Sequence, residues 1–163
     1  MPPKLGLLAG GGVLPRRLAE AARSEGRDVF IIAFKDQTLP ETVAGFDHLW
    51  VRLGAAGKTI RALKQAQCGD LVMAGGIRRP SLSELRPDWR GLALFVRAGL
   101  AMRGDDGALR AVRAELEGEG FRVIAAQDIM ATLLMPLGVL GQVVPTEEAR
   151  ADIRRGLDVL AAL

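Results

Sequence analysis

The stretch Lys4-Leu5-Gly6-Leu7-Leu8-Ala9-Gly10-Gly11-Gly12 decides the fold class of this chain. Short continuous apolar runs are typical of strands buried on both faces of a parallel sheet, so we predict a strand over Lys4–Ala9, which three glycines end. Apolar residues then recur at helical spacing: Leu14, Leu18, Ala21 and Ala22. This spacing predicts a helix from about Leu14 to Ser24, and Gly26 follows where helices commonly end. Strand, tight turn and helix in this order form the opening unit of an α/β domain.

Strands and helices alternate along the rest of the chain. We predict further strands over Asp28–Ala33, Phe46–Leu53, Leu71–Ala74 and Phe121–Ala126. We predict further helices over Lys58–Gln67, from about Gly91 to Met102, over Asp106–Gly118, over Asp128–Leu134, and from an N-cap at Thr146 onward. This alternation indicates a doubly wound, Rossmann-like α/β fold, with a mainly parallel sheet of about five strands and helices on both faces.

The composition bounds the size and the class of the protein. With 163 residues, of which 49% are hydrophobic, the chain is predicted to form one α/β domain over residues 1–163. Its net charge of +3 is a mild bias that does not by itself indicate a nucleic-acid partner. The single cysteine, Cys68, excludes an internal disulfide and fits a reducing compartment. The apolar run at the N-terminus is too short for a signal peptide or a membrane span, so we expect a cytoplasmic protein.

A segment rich in arginine follows the predicted strand Leu71–Ala74. It reads Gly75-Gly76-Ile77-Arg78-Arg79-Pro80-Ser81-Leu82 and continues as Leu85-Arg86-Pro87-Asp88-Trp89-Arg90; residues Gly75–Arg90 are called the arginine segment below. Guanidinium groups bind phosphate through paired hydrogen bonds, so the segment predicts a site for an anionic small molecule. A structural loop held by Arg–Asp pairs is the alternative. We expect no nucleic acid, because Trp89 is the only aromatic residue in the segment on which a base could stack.

Several loops are predicted to share the edge of the sheet where the strands have their carboxyl ends, which is where doubly wound folds bind ligands. They are Gly10–Gly12, Lys35-Asp36, Gly54–Lys58 and the arginine segment. The glycines Gly10, Gly11, Gly12, Gly75 and Gly76 would let backbone N–H groups approach a phosphate. A dinucleotide fingerprint that starts at Gly10 fails, because Pro15 stands at its third position. A tight turn without a ligand is the alternative.

The run Gly54-Ala55-Ala56-Gly57-Lys58-Thr59 resembles the end of a P-loop. A P-loop requires a glycine where Arg52 stands, and it follows the first strand of the fold rather than the third. ATP hydrolysis by this motif is therefore excluded. Lys58, at the start of a predicted helix, is a candidate for a phosphate contact, with a solvated lysine as the alternative.

Aspartates are the candidate metal ligands, since Mg²⁺ prefers carboxylate oxygens. Asp105 and Asp106 are the first candidates, and Asp88 and Asp128 could join them. Asp105 and Asp106 also open a predicted helix, where acidic residues stabilise the helix dipole without any metal. The only histidine, His48, is interpreted as a surface or cross-strand residue.

Taken together, these motifs resemble the N-terminal half of the UDP-2,3-diacylglucosamine pyrophosphatase family of lipid A biosynthesis, the type without the metallophosphoesterase fold. The residues that carry the resemblance are Leu5–Gly12 with Leu14-Pro15, Leu53-Gly54 with Gly57-Lys58, Met73–Leu82, Leu85–Gly91 and Gly104-Asp105-Asp106. Glu119-Gly120-Phe121 and Asp152-Ile153 with Gly156 extend it over nearly the whole chain. The block Met73–Ser81 with Arg86–Arg90 is its most specific part.

The resemblance implies hydrolysis of the pyrophosphate of UDP-2,3-diacylglucosamine to UMP and 2,3-diacylglucosamine 1-phosphate (lipid X) in Gram-negative bacteria. It implies a divalent metal, with Mg²⁺ as the natural candidate, and peripheral contact with the inner face of the cytoplasmic membrane. Phosphate or sugar contacts are assigned to Arg78, Arg79, Arg86 and Arg90, backbone contacts to the two glycine turns, and metal or polar contacts to Asp105 and Asp106. The arginines of the segment independently predict an anionic ligand.

The family has a second domain after the last helix, and that domain carries acidic residues needed for catalysis. We therefore expect the chain to be an N-terminal domain whose partner is the absent catalytic domain, and to have no appreciable hydrolase activity alone. Apolar surface left exposed could also cause self-association into a homo-oligomer. Two other functions stay open: a non-catalytic module that binds a nucleotide or nucleotide sugar, and a small interaction domain that docks an acidic partner.

Overall fold

The computed structural model of the protein describes residues 2–78, 88–93, 105–135, 138–139 and 141–162, with backbone alone for residues 105, 106 and 108. The chain divides into two compact units, Met1–Leu133 and Leu134–Leu163. The first unit contains the sheet, and the second contains the last helix.

Five strands form one parallel sheet. They are β1 (Lys4–Ala9), β2 (Val29–Phe34), β3 (Asp47–Val51), β4 (Cys68–Ala74) and β5 (Arg122–Val123). Their order in the sheet is β3-β2-β1-β4-β5. The chain runs from β1 outward to β3 and then returns to lay β4 on the other side of β1, which confirms the predicted doubly wound fold.

Helices connect the strands. They are α1 (Leu14–Ser24), α2 (Pro40–Val43), α3 (Ala56–Gln65), α4 (Asp105–Gly118) and, in the second unit, α5 (Glu147–Ala161). Residues 89–93 are also helical. No helix in the described parts of the chain is both long and apolar enough to cross a membrane.

Two apolar clusters pack on opposite faces of the sheet, because successive side chains of a strand point to opposite faces. On β1, Leu7 belongs to the first cluster, whereas Leu8 belongs to the second. The first cluster includes Leu18 of α1, and the second includes Leu63 of α3 and Leu116 of α4. The helices therefore cover both faces of the sheet, as predicted.

A buried ion cluster holds the edge of the sheet where the strands begin. Asp70 of β4 is 2% exposed. Its Oδ1 and Oδ2 accept hydrogen bonds of 2.7 Å from Arg122 of β5, and Oδ2 also accepts one from Arg27. The hydrogen bonds from Arg122, followed by those from Arg27, hold the pKa of Asp70 below its usual range. The cluster fastens β5 and the segment before β2 to the start of β4.

Several predicted boundaries are wrong. β4 begins at Cys68 rather than Leu71, because its first residues pair with β1. β5 is confined to Arg122–Val123, shorter than the predicted Phe121–Ala126. The predicted helix Asp128–Leu134 is replaced by two 3₁₀ turns, Ala126–Asp128 and Ala131–Leu133. The reason is that Asp128 Oδ2 accepts from the backbone N–H of Ala125 (3.0 Å) and so closes the preceding turn.

Other boundaries agree more closely. α3 starts and ends two residues before the predicted Lys58–Gln67. The short helix α2 was not predicted, although a proline stands at its first position, where proline is common in helices. The predicted helix from Gly91 to Met102 is described only over 89–93. In the second unit, Thr146 Oγ1 accepts a hydrogen bond from the Ala149 N–H (3.2 Å), which confirms the predicted N-cap of α5.

Candidate functional site

The turns after β1 and β4 pair with each other through their main chains. The Gly10 N–H donates to the Ala74 carbonyl oxygen (2.7 Å), and Gly11 and Gly76 exchange two hydrogen bonds of 2.7 and 3.1 Å. The structure thus lays the first glycine turn beside the start of the arginine segment, at the carboxyl edge of the sheet. These two strands are the neighbours at which the strand order reverses, the usual ligand position in this kind of fold.

The close approach of these two backbones explains two of the glycines. A Cβ atom at Gly10 would lie 2.6 Å from the Gly76 carbonyl oxygen, and one at Gly75 would lie 2.5 Å from the Gly11 carbonyl oxygen. Both separations are too short for non-bonded atoms, so neither position accepts a side chain. The pairing therefore requires glycine at these positions whether or not a ligand binds, and phosphate contacts by the glycine turns stay a prediction.

The loop between β2 and α2 lies across the same edge. The Thr38 hydroxyl accepts a hydrogen bond from the Phe34 N–H (2.8 Å) and donates one to the Ala9 carbonyl oxygen. Beside it, Gln37 Oε1 accepts a hydrogen bond of 2.8 Å from the Arg78 N–H. The loop therefore ties the ends of β1 and β2 to the first arginine of the arginine segment.

The N-terminus of α3 is occupied by a carboxylate of the chain itself. Asp88 Oδ2 accepts hydrogen bonds from the N–H groups of Gly57 (2.8 Å) and Lys58 (3.3 Å), and Oδ1 accepts one from the Gly91 N–H (2.7 Å). A single side chain thus caps both α3 and the helical residues 89–93. The amides at which a P-loop would hold phosphate are therefore engaged by Asp88.

The two described arginines of the segment differ in their surroundings. Within the described part of the chain, no carboxylate pairs with the Arg78 guanidinium. The Arg90 guanidinium instead pairs with Glu119, whose other oxygen lies 2.5 Å from Lys64 Nζ. These cations, with Lys64 as the larger influence, hold the pKa of Glu119 below its usual range. Arg90 is therefore already neutralised in part by Glu119, whereas no described carboxylate does the same for Arg78.

The remaining predicted ligands are described only in part. Arg79 and Arg86 lie outside the described residues, whereas Asp105 and Asp106 form the start of α4 without described side chains. Among the described side chains, no three carboxylate, imidazole or thiol groups come close enough to hold a metal ion. The described residues therefore do not by themselves form a divalent-metal site, and the metal stays a prediction.

An apolar cavity of about 180 Å³ opens near the same edge. It is lined by side chains of β1, β2, α3 and α4, among them Leu8, Phe34, Ile60, Val112 and Leu116. Such a lining suits hydrocarbon and does not suit phosphate. The edge therefore combines a polar region around Arg78 with an apolar one beside α3.

Three residues organise this edge in ways that the sequence analysis did not predict. Gln37 and Thr38 were not identified as contributing to it, and Asp88 was not identified as a helix cap. Gln37 and Thr38 follow a strand in a loop, where their side chains carry no distinctive pattern. The capping of residues 89–93 by Asp88 could have been predicted, because an aspartate three residues before Gly91 fits the N-cap position of a helix. Its second contact, to α3, joins residues 30 and more positions apart in the sequence.

The parallel strand order β3-β2-β1-β4-β5 and the helices on both faces of the sheet define a Rossmann-type α/β domain. Within that class, the chain belongs to the family described as the LpxI N-terminal domain, which matches residues 4–133.

Similar proteins include one that matches the chain in sequence and one that matches it in fold. The UDP-2,3-diacylglucosamine pyrophosphatase LpxI of Caulobacter vibrioides is 41% identical over 160 residues, which are 96% of this chain and 56% of that protein. The chain thus spans little more than half the length of this relative. Among solved structures, the Bordetella bronchiseptica enzyme WbmG in complex with NAD and UDP matches with a TM-score of 0.50 and 17% identity, over 77% of this chain and 37% of that one. This second likeness shows the fold alone.

Proposed function

We propose that this chain is the substrate-binding N-terminal part of a hydrolase that cleaves the pyrophosphate of UDP-2,3-diacylglucosamine to UMP and 2,3-diacylglucosamine 1-phosphate. The observation that carries the proposal is the 41% identity to the Caulobacter vibrioides pyrophosphatase over 96% of the chain. The proposal includes a divalent metal such as Mg²⁺, a catalytic part beyond the matched region, and peripheral contact with the membrane that holds the lipid substrate. Within it, the chain alone binds the nucleotide moiety without hydrolysing it.

The geometry of the carboxyl edge supports this function. The Arg78 guanidinium, which pairs with no carboxylate of the described residues, provides a cation for the diphosphate, and Arg78 lies two residues after the Gly11–Gly76 pairing. The apolar cavity beside α3 provides a surface that suits an acyl chain. Together, a cationic and an apolar region fit a nucleotide carrying a lipid better than they fit a nucleotide alone.

The same geometry argues against a dinucleotide-binding module. In such modules the glycine turn after the first strand offers its backbone N–H groups to the pyrophosphate. Here the Gly10 and Gly11 N–H groups already donate to the carbonyl oxygens of Ala74 and Gly76. A pyrophosphate seated on this turn would have to break the pairing of the two strand ends.

A binding comparison tests the nucleotide part of the proposal. Isothermal titration of the chain with UDP, UDP-N-acetylglucosamine, NAD and ATP is expected to give selective binding of the two uridine nucleotides. Arg78→Ala is expected to weaken UDP binding about tenfold, the effect of one lost charge-assisted contact. The matched control Arg113→Ala removes an exposed arginine of α4 that pairs with Glu117 and should leave the affinity unchanged. Selective NAD binding would instead favour the dinucleotide module.

A fusion tests the activity. The chain joined to the part of the Caulobacter vibrioides relative that it does not cover should release UMP from UDP-2,3-diacylglucosamine in the presence of Mg²⁺. The unfused chain should release none. A fusion that folds and binds UDP but leaves the substrate intact with every divalent metal tried would contradict the proposed reaction.

A further inference from the structure

Large apolar side chains are exposed at the carboxyl edge of the sheet. Val13, Leu39 and Ile77 lie in the segments that follow β1, β2 and β4, and all three are exposed, Val13 by 69%. The described loops that lead into β2, β3, β4 and β5 at the opposite edge expose no large apolar side chain. Apolar contacts are therefore offered to solvent at one edge of the sheet and not at the other.

Trp89 and Leu92 lie at the same edge. The carboxylate of Asp88 accepts hydrogen bonds from the N–H groups of Gly57 (2.8 Å) and Lys58 (3.3 Å), which places the neighbouring Trp89 beside the start of α3. The Trp89 side chain is 82% exposed, and Leu92, about one helical turn later, is exposed as well. A tryptophan combines a large apolar ring with an N–H donor, and it is enriched where lipid meets water.

The cations of the two edges differ in their partners. At the edge where the strands begin, Asp70 neutralises both Arg27 and Arg122. At the carboxyl edge, four exposed cations pair with no carboxylate of the described residues: Lys35 after β2, Arg52 after β3, Lys58 in the first turn of α3 and Arg78 after β4. Their charge exceeds that of Asp36, the exposed carboxylate in the loop after β2. The carboxyl edge is therefore positively charged as well as partly apolar.

This combination fits an anionic membrane better than a protein partner. The centre of a protein–protein interface is depleted of charged residues, whereas here cations and apolar side chains alternate among several loops. Binding to an anionic bilayer uses both, because apolar burial and attraction to the lipid headgroups add.

We propose that the carboxyl edge is the surface through which this protein contacts an anionic lipid membrane; this rests on the function proposed above, whose substrate carries two acyl chains. Trp89, Leu92 and Val13 enter the headgroup region. The four cations lie against the lipid phosphates.

The position of the apolar cavity beside α3 supports this orientation. Gly54 and Gly91 line the cavity, and the Asp88 N–H donates to the Gly54 carbonyl oxygen (3.3 Å). Trp89 and Leu92 flank Gly91 in the chain, so they border the cavity. A membrane seated on these two side chains would bring hydrocarbon next to an apolar lining.

Sedimentation with vesicles tests the surface in the absence of nucleotide and metal. The chain should bind vesicles of phosphatidylglycerol mixed with phosphatidylcholine, and much less those of phosphatidylcholine alone. Trp89→Ala should lower the partition coefficient about tenfold, because the ring is no longer withdrawn from water. Arg52→Ala should lower it about fivefold, the effect of one cation near an anionic surface.

Arg113→Ala is the matched control for Arg52→Ala. It changes the net charge by the same amount, but it removes an exposed arginine in the second half of α4 that pairs with Glu117. It should leave the partition coefficient unchanged. Circular dichroism melting of each variant shows that the fold is kept.

Tryptophan fluorescence locates the contact. The chain has two tryptophans, Trp50 and Trp89, so Trp50→Phe leaves Trp89 as the only one. Its emission should shift to shorter wavelength when phosphatidylglycerol vesicles are added, because lipid replaces the water around the exposed ring.

Three results would overturn the proposal: folded wild-type chain that does not bind phosphatidylglycerol vesicles, equal losses in Arg52→Ala and Arg113→Ala, or vesicle binding that leaves the Trp89 emission unchanged. The proposed function is decided separately, by titration of the same chain with UDP without vesicles. A chain that binds UDP but no vesicles would contradict the membrane surface alone, and a chain that binds vesicles but no uridine nucleotide would contradict the proposed function.

Discussion

Replacing Asp70 by alanine removes the carboxylate that joins three segments at the edge where the strands begin. The Arg27 side chain is 11% exposed and that of Asp70 is 3% exposed, so this pair is largely withdrawn from water. Arg27 also donates from Nε to the Pro3 carbonyl oxygen (2.8 Å), which fixes the guanidinium in place. Without Asp70 it stays buried with its charge uncompensated.

The size of the effect follows from that burial. Removing one partner of a buried ion pair costs about 3–5 kcal/mol. The lower end applies here, because Arg122 is 70% exposed and can turn to solvent. We therefore expect Asp70→Ala to reduce the free energy of unfolding by about 3 kcal/mol, which corresponds to a drop in melting temperature of roughly 6–12 °C.

The sign of the pH dependence is also set by the structure. The arginines lower the pKa of Asp70 in the folded state, below the value of about 4 in the unfolded chain. The stabilisation is therefore complete above about pH 4 and is lost as the pH falls through the lower, folded-state pKa. The free energies of unfolding of the wild type and of Asp70→Ala should differ most at neutral pH, and the difference should become smaller in acid.

Thermal and urea unfolding followed by circular dichroism measure this difference between pH 2 and pH 7. Asp47→Ala is the control, since its carboxylate is 81% exposed and lies 3.9 Å from Lys4 Nζ; its melting temperature should change by about 2 °C or less. A melting temperature for Asp70→Ala within that margin of the wild type at pH 7 would refute the reasoning. So would a difference that grows as the pH falls.

Two further predictions concern buried groups. Burial raises the pKa of the Cys68 thiol to about 11, so about one thiol in a thousand is ionised at pH 8; Ellman's reagent should react with the native chain far more slowly than with the urea-unfolded chain, and equal rates would contradict the burial of this side chain. Thr38→Val leaves the Ala9 carbonyl oxygen and the Phe34 N–H without their side-chain partner, and we expect a loss of about 2 kcal/mol in urea unfolding. Thr38→Ser keeps the hydroxyl and should lose much less; equal losses in the two variants would contradict the assignment of the effect to these two hydrogen bonds.

The fold could be predicted because its signals are local. The apolar run before Gly10 and the helical spacing from Leu14 onward each specify one element, and β1 and α1 have the predicted bounds. Where the strand propensity of a residue disagrees with its pairing to a neighbouring strand, the pairing determines the secondary structure. Asp70 is unfavourable in a strand, yet it belongs to β4, because it pairs with Leu5 of β1 and Arg122 neutralises its charge.

The site could be predicted only in outline, because its contacts join distant segments. The glycine turns and the arginine segment were assigned to one edge from strand polarity alone, and the Gly11–Gly76 pairing lies at that edge. No local pattern indicates that Asp88 would cap a helix that begins at Ala56, or that Glu119 would pair with Arg90. Which charged side chains pair depends on their positions in the folded chain, so the sequence alone does not show which arginines form ion pairs.

The pairing of the two glycine turns engages backbone N–H groups that other Rossmann-type domains use to bind a ligand. In dinucleotide-binding domains the first turn is open, and its amides meet the pyrophosphate. In this chain the Gly11 amide is engaged by Gly76, and the amides at the start of α3 are engaged by Asp88. Two sets of backbone donors that could hold a phosphate are thus used to fasten the arginine segment. We therefore expect an anion at this edge to be bound by side-chain guanidinium groups such as that of Arg78 rather than by these two sets of amides.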